Sequence, residues 1–161
     1  MTTTASPETQ LIDRIEEMGA KINAAREATS SVIFGQGRVI DLALITVLSG
    51  GHALLIGVPG IAKTSLVETL GTVLGLENKR IQFTPDLMPS DIVGSEVLEE
   101  DASGKRSFRF LSGPVFTQLL MADEINRASP KTQSALLQAM QEHHVTVAGV
   151  RHDVPRPFHV L

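Results

Sequence analysis

The 161-residue chain contains no cysteine, which excludes disulfides, thiolate catalysis and cysteine-ligated zinc. Its opening, MTTTASPETQ, has neither a basic start nor an apolar stretch, so it does not read as a secretory leader. No apolar run reaches the roughly 18 residues that a membrane-spanning helix requires. Internal repeats and low-complexity tracts are missing too. Fourteen basic residues against eighteen acidic ones give a net charge of −4, without the basic stripe that sequence-independent nucleic-acid binding wants. These absences leave the expectation of a cytoplasmic protein, one domain in size, with 42% hydrophobic residues to build its core.

Ser6, followed by Pro7 and Glu8, reads as the start of a helix. Leu11, Ile15, Met18 and Ile22 then recur at spacings of four, three and four, one apolar stripe of an amphipathic helix. Residues 1–29 are expected to form an N-terminal helical segment ahead of a core over 30–161. RVIDLALITVLS is apolar nearly all round and reads as a buried helix, stopped by Gly50 and Gly51. HALLIG (52–57), KRIQF (79–83) and LLMADE (119–124) read as buried strands, with a helix over 63–74 between the first two.

TPDLMPSDIVGSEV, broken by Pro85, Pro89 and Gly94, reads as a loop. Hairpins are expected at 96–110, with Gly104 in a charged turn, and at 143–154. Ser129 and Pro130 should cap a helix whose apolar face is Leu136, Leu137 and Met140. The five histidines show no metal spacing, and adjacent His143 and His144 would point to opposite faces of a strand. FHVL begins a further strand. Strands alternating with helices predict an α/β fold around a largely parallel sheet.

GVPGIAKTSLVETL (57–70) carries the chemistry. A strand, a glycine-bearing turn and a helix, in that order, are the context of a phosphate loop. Gly57, Val58, Pro59, Gly60, Ile61, Ala62, Lys63, Thr64 and Ser65 would cradle phosphate with backbone N–H groups, helped by the positive end of the helix dipole. Lys63 would reach the β- and γ-phosphates, and the Thr64 hydroxyl would hold Mg²⁺. Ala62 departs from the usual glycine, and its methyl is harmless wherever φ is negative. The plain alternative is a surface turn that happens to contain Lys-Thr. LLMADEIN weighs against that alternative, because an apolar strand ending in Asp123 and Glu124 puts carboxylates at the ligand-binding edge of a parallel sheet. Asp123 would hold Mg²⁺, and Glu124 would polarise an attacking water. LSGGH (48–52) resembles a transporter-ATPase signature but precedes the phosphate loop, so it reads as a helix stop.

GVPGIAKT, FTPDLMPSDIVGSEV, GPVFTQLLMADEINRASPKTQSALLQAMQE and VTVAGVRHDVPRPFHVL together closely resemble the MoxR family of AAA+ ATPases, over about residues 30–161. The resemblance implies the three-layer P-loop NTPase fold of an AAA+ core, with ATP and Mg²⁺ as ligands and alanine as the family form at position 62. It implies a chaperone-like motor that remodels protein clients, built as a hexameric ring with a von Willebrand factor A domain partner, and no nucleic-acid or membrane partner. VIFGQG resembles the segment around adenine, making Phe34, Gly35 and Gln36 candidates for base contacts. Asn126 and Arg127 fall where related motors place polar groups near the γ-phosphate or a neighbouring subunit. Both hairpins resemble family inserts that could touch substrate. The family's first sensor asparagine, arginine finger and helical lid follow FHVL, so this chain alone is expected to bind ATP and to hydrolyse it slowly. The alternatives are a non-hydrolysing nucleotide-dependent interaction module and a motor subunit of magnesium-chelatase or helicase type.

Overall fold

The computed structural model describes residues 7–57, 62–100 and 104–161. Along the chain lie helices α1 (Pro7–Ser30), α2 (Gly37–Leu48) and α3 (Lys63–Leu74), strand β1 (Asn78–Gln82) and one helical turn, α4 (Pro89–Val93). Strands β2 (Gly94–Glu100), β3 (Arg106–Ser112) and β4 (Leu119–Asp123) follow, then a 3₁₀ turn (Ile125–Arg127) and helix α5 (Pro130–Glu142). Strands β5 (His144–Val147), β6 (Val150–Asp153) and β7 (His159–Val160) complete the order. The proposed cap Ser6 lies outside the described residues.

The central sheet has the order β1-β4-β7 and is parallel throughout, with Asn78 opposite Leu119, Gln82 opposite Asp123 and Leu120 opposite Val160. Leu119, Leu120 and Met121 are consecutive and all buried, which a strand achieves only when both sheet faces are covered. On one face Ile81, Leu120 and Val160 pack with Leu136 and Ala139 of α5. On the other, Leu119, Met121 and Leu161 pack with Leu66, Val67 and Leu70 of α3 and Ile40 and Leu44 of α2. The result is the expected three-layer α/β arrangement.

Several expectations need correction. The segment 52–57 is extended but is not a strand. Among the described residues, its backbone bond to β7 runs from the Ala53 N–H to the Val160 carbonyl (3.0 Å). The Val160 N–H, which a ladder would satisfy with a carbonyl, donates instead to Nδ1 of His52 (3.0 Å). Ile56, further along the segment, is 88% exposed.

Helix α2 buries only Ile40, Ala43, Leu44 and Val47, while Leu42, Ile45 and Leu48 face outward, so it is covered on one side rather than all round. The α1 stripe of Leu11, Ile15 and Met18 is exposed, and the helix joins the core only near Ala25 and Thr29. On α5 the buried set is Thr132, Leu136 and Ala139, with Leu137 exposed one residue off that face.

TPDLMPSDIVGSEV is not all loop. Pro89 sits in the first turn, where its missing N–H costs nothing, and the Asp91 carboxylate accepts from the Met88 N–H at 2.8 Å. His143 is not on a strand, since it ends α5 in a left-handed conformation with φ 56°. The predicted hairpins form as β2–β3 and β5–β6, the latter through Ala148 (φ 48°) and Gly149 (φ 82°) as a two-residue primed turn. No helix among the described residues is long and apolar enough to cross a membrane.

His52 also generates a pH dependence. Burial holds its imidazole below the ordinary value of 6.5, with His159 and His143 adding repulsion and a hydrogen bond to the Met140 carbonyl opposing them. The folded state therefore takes up this proton less readily than the unfolded chain. Stability should be full above about pH 6.5 and fall as pH drops toward the lower folded value. Urea unfolding at pH 7.5 and 5.5 checks this: the His52→Gln variant should lose less stability than the parent between the two, and equal losses would refute it.

Candidate functional site

The carboxyl edge of the sheet faces the start of α3. Met121 of β4 packs on the α3 side of the sheet, and strand alternation puts Asp123 on the same side. A cavity of about 410 Å³ opens there. Gly57, Lys63, Asp123, Glu124 and Asn126 line it, above an apolar wall that includes Val67 and Met121. The structure thus brings the sequence-predicted lysine and acidic pair into one cavity.

Helical bonding in α3 begins with the Leu66 N–H donating to the Ala62 carbonyl at 2.9 Å. Among the described residues no side chain caps the start of α3, and a helix N-terminus favours an anion through its dipole. Lys63 Nζ donates to the Gly57 carbonyl at 3.2 Å, which folds the ammonium back toward the end of segment 52–57. Thr64 follows in the same first turn and is half-buried, whereas Ser65 is exposed. Val58, Pro59, Gly60 and Ile61 lie outside the described residues. Ala62 itself adopts φ 55° and ψ 29°, so the condition under which its methyl is harmless does not hold. A left-handed alanine costs about 1–2 kcal/mol relative to the right-handed region.

Glu124 is a second left-handed residue, at φ 57° and ψ 39°, and it caps the 3₁₀ turn by accepting the Arg127 N–H at 2.9 Å. Its carboxylate lies 3.4 Å from Nε of Arg127. A non-glycine residue in this region at the mouth of a cavity is stored strain, and such strain clusters at functional sites. Asp123 is held differently: Arg80 of the neighbouring strand β1 contacts its Oδ2 through Nη2 at 2.7 Å. Nothing in the sequence pointed to Arg80, because its nearness to Asp123 exists only once β1 and β4 pair in register.

Phe34, Gly35 and Gln36 connect α1 to α2 and are not among the residues lining this cavity. Phe34 is 81% exposed, and Gly35 makes its turn at φ 73°.

No cluster of three or more His, Asp or Glu capable of holding a metal occurs among the described residues. That donor poverty fits Mg²⁺, which commonly takes one or two carboxylates and completes its shell with water and substrate phosphates. Of the two residues expected to hold it, Asp123 lines the cavity at the sheet edge and Thr64, one residue after Lys63, does not.

A parallel sheet with an acidic pair at its carboxyl edge, facing a helix that opens on Lys63, is the arrangement of a P-loop-type nucleotide-binding core. Comparison with known proteins narrows the class. The family model described as "ATPase family associated with various cellular activities (AAA)" matches residues 52–161. The chain is 44% identical to chaperone MoxR1 of Mycobacterium tuberculosis over 149 residues, 91% of this chain and 39% of that protein. It is 42% identical to YeaC of Bacillus subtilis, covering 91% of this chain and 45% of that one. Against protein MoxR of Paracoccus denitrificans the figures are 35%, 82% and 39%. A crystal structure of a Cytophaga hutchinsonii protein superposes with a TM-score of 0.72 at 40% identity, over 92% of this chain and 46% of that one. The chain belongs to the MoxR-type AAA+ ATPases, and it spans less than half the length of these relatives.

The backbone at position 62 yields a direct test. Ala62→Gly removes the left-handed penalty but adds unfolded-chain entropy, so it should leave stability unchanged or raise it by up to about 1 kcal/mol. Ala62→Val puts a β-branched residue at the same φ and should cost more than about 1 kcal/mol. Thermal unfolding of both variants measures this, and a Gly variant clearly less stable than the parent would refute the left-handed assignment.

Proposed function

We propose that the chain binds ATP with Mg²⁺ in the 410 Å³ cavity and takes part in hydrolysis of its γ-phosphate. The observation that carries this reading is the meeting of Lys63 with Asp123 and Glu124 in one cavity beside a helix N-terminus. The first-turn N–H groups of α3 would bind phosphate oxygens, and Lys63 would exchange its Gly57 carbonyl for the β- and γ-phosphates. A Mg²⁺ ion held by Thr64 and Asp123 would neutralise charge on the phosphates. Glu124 would orient a water and accept its proton as that water attacks the γ-phosphorus, the leaving ADP taking the bond pair. Turning Glu124 toward that water requires loosening its contact with Arg127.

Phe34, Gly35 and Gln36 belong to this reading as adenine contacts, supported by the family's sequence pattern. So do a ring of several copies, six in the family, and energy transfer to protein clients with a von Willebrand factor A domain partner. The same pattern supports a cytoplasmic location.

Two substitutions test the site. Lys63→Ala should weaken ATP binding roughly tenfold to hundredfold, the usual worth of a charge-assisted contact to phosphate. Glu124→Gln should leave binding within about threefold of the parent while lowering phosphate release about 10²-fold or more, since the amide keeps the shape and loses the base. Calorimetry and a phosphate-release assay read the two effects. Equal ATP affinity in the parent and Lys63→Ala would remove the phosphate-loop assignment, and full hydrolysis by Glu124→Gln would move the base elsewhere.

A further inference from the structure

We infer that Arg80 is the resident counter-cation of Asp123 and competes with the divalent cation for it, thereby setting the Mg²⁺ concentration at which the nucleotide site loads. This rests on the Mg²⁺-nucleotide reading of the cavity given above. Arg80 stands opposite Met121 in the β1–β4 register, two residues before Gln82, which stands opposite Asp123. One strand step of two residues spans roughly 6.6 Å, within the reach of an arginine side chain pointing along the sheet edge. Nη2 of Arg80 meets Oδ2 of Asp123 at 2.7 Å. The carboxylate side chain is only 21% exposed, whereas the arginine is 46% exposed.

The asymmetry of exposure decides which partner moves. Asp123 belongs to the buried central strand and is fixed. Arg80 hangs from β1 on a flexible stem and can swing into solvent. Mg²⁺ sheds water reluctantly and demands near-octahedral geometry, so a guanidinium already on one carboxylate oxygen is both a steric and an electrostatic competitor. Glu124 has its own arginine, but Arg127 is a neighbour along the same turn at a longer 3.4 Å. Among the described residues, Arg80 alone forms an ion pair with the acid pair from another strand.

The test is ATP binding measured against free Mg²⁺ for the parent, Arg80→Gln and Arg80→Lys, with ATP affinity in EDTA and thermal midpoints recorded for each. Arg80→Gln should lower the half-saturating Mg²⁺ concentration, on the order of threefold to tenfold for a half-exposed pair. Arg80→Lys keeps the charge and should fall between the two. ATP affinity in EDTA should hold or fall, because Asp123 loses its counter-cation, and should match the parent once Mg²⁺ is saturating. A Mg²⁺ requirement that stays the same or rises in Arg80→Gln would overturn the inference, as would ATP binding that stays weaker at saturating Mg²⁺, which would make Arg80 a phosphate ligand. A merely structural role would lower the thermal midpoint without moving the Mg²⁺ midpoint. If the parent binds ATP with no Mg²⁺ dependence, the metal reading and this inference fall together. If the parent shows the dependence and Arg80→Gln does not shift it, only the inference falls.

Discussion

The parallel register of β4 against its two neighbours is the constraint on which the site depends. With Gln82 opposite Asp123 and Leu120 opposite Val160, the acidic pair emerges at the carboxyl edge of the sheet. Alternation along β4 then sends Asp123 to the side where α3 packs. A slip of one residue would turn Asp123 toward α5 and Ala122 toward α3, and the cavity would lose its carboxylate. Such a slip is resisted because it would also exchange the buried partners of Leu119, Leu120 and Met121, which serve two separate cores.

Around this fixed edge the chain accepts local strain. Ala62, the residue before the cavity-lining Lys63, and Glu124, which lines the cavity itself, both occupy the left-handed region without being glycine. Each such residue costs of order 1–3 kcal/mol and persists only where its surroundings over-determine it. Here the surroundings are α3, buried through Leu66, Val67 and Leu70, and β4. Strain at Ala62 aims the first turn of α3 at the cavity. Strain at Glu124 turns the chain sharply enough that two adjacent acids, which would otherwise alternate across the sheet, both line one cavity.

Much of this was legible in the sequence because burial and backbone chemistry write simple patterns. The apolar run 119–122 before Asp123 announced a buried strand, and the helix expected over 63–74 forms with those bounds. Ser129 and Pro130 announced α5, and the Ser129 hydroxyl does accept from Thr132. What was not legible depended on neighbours. HALLIG has the composition of a buried strand, but pairing needs a partner, and one rung is taken by the His52 imidazole. Leu42, Ile45 and Leu48 look like core residues until α2 proves to be covered on one side only. The sign of φ at Ala62 does not follow from its residue type, and Arg80 reaches Asp123 only through strand pairing.

A structure determined with Mg²⁺ and a non-hydrolysable ATP analogue tests the central claim most directly. The account predicts phosphate groups against the first turn of α3 within hydrogen-bond reach of Lys63 Nζ, and the metal beside Asp123. Occupancy of the 410 Å³ cavity by a nucleotide whose phosphates lie away from Lys63 and the acidic pair would contradict it, as would an analogue bound only elsewhere on the chain.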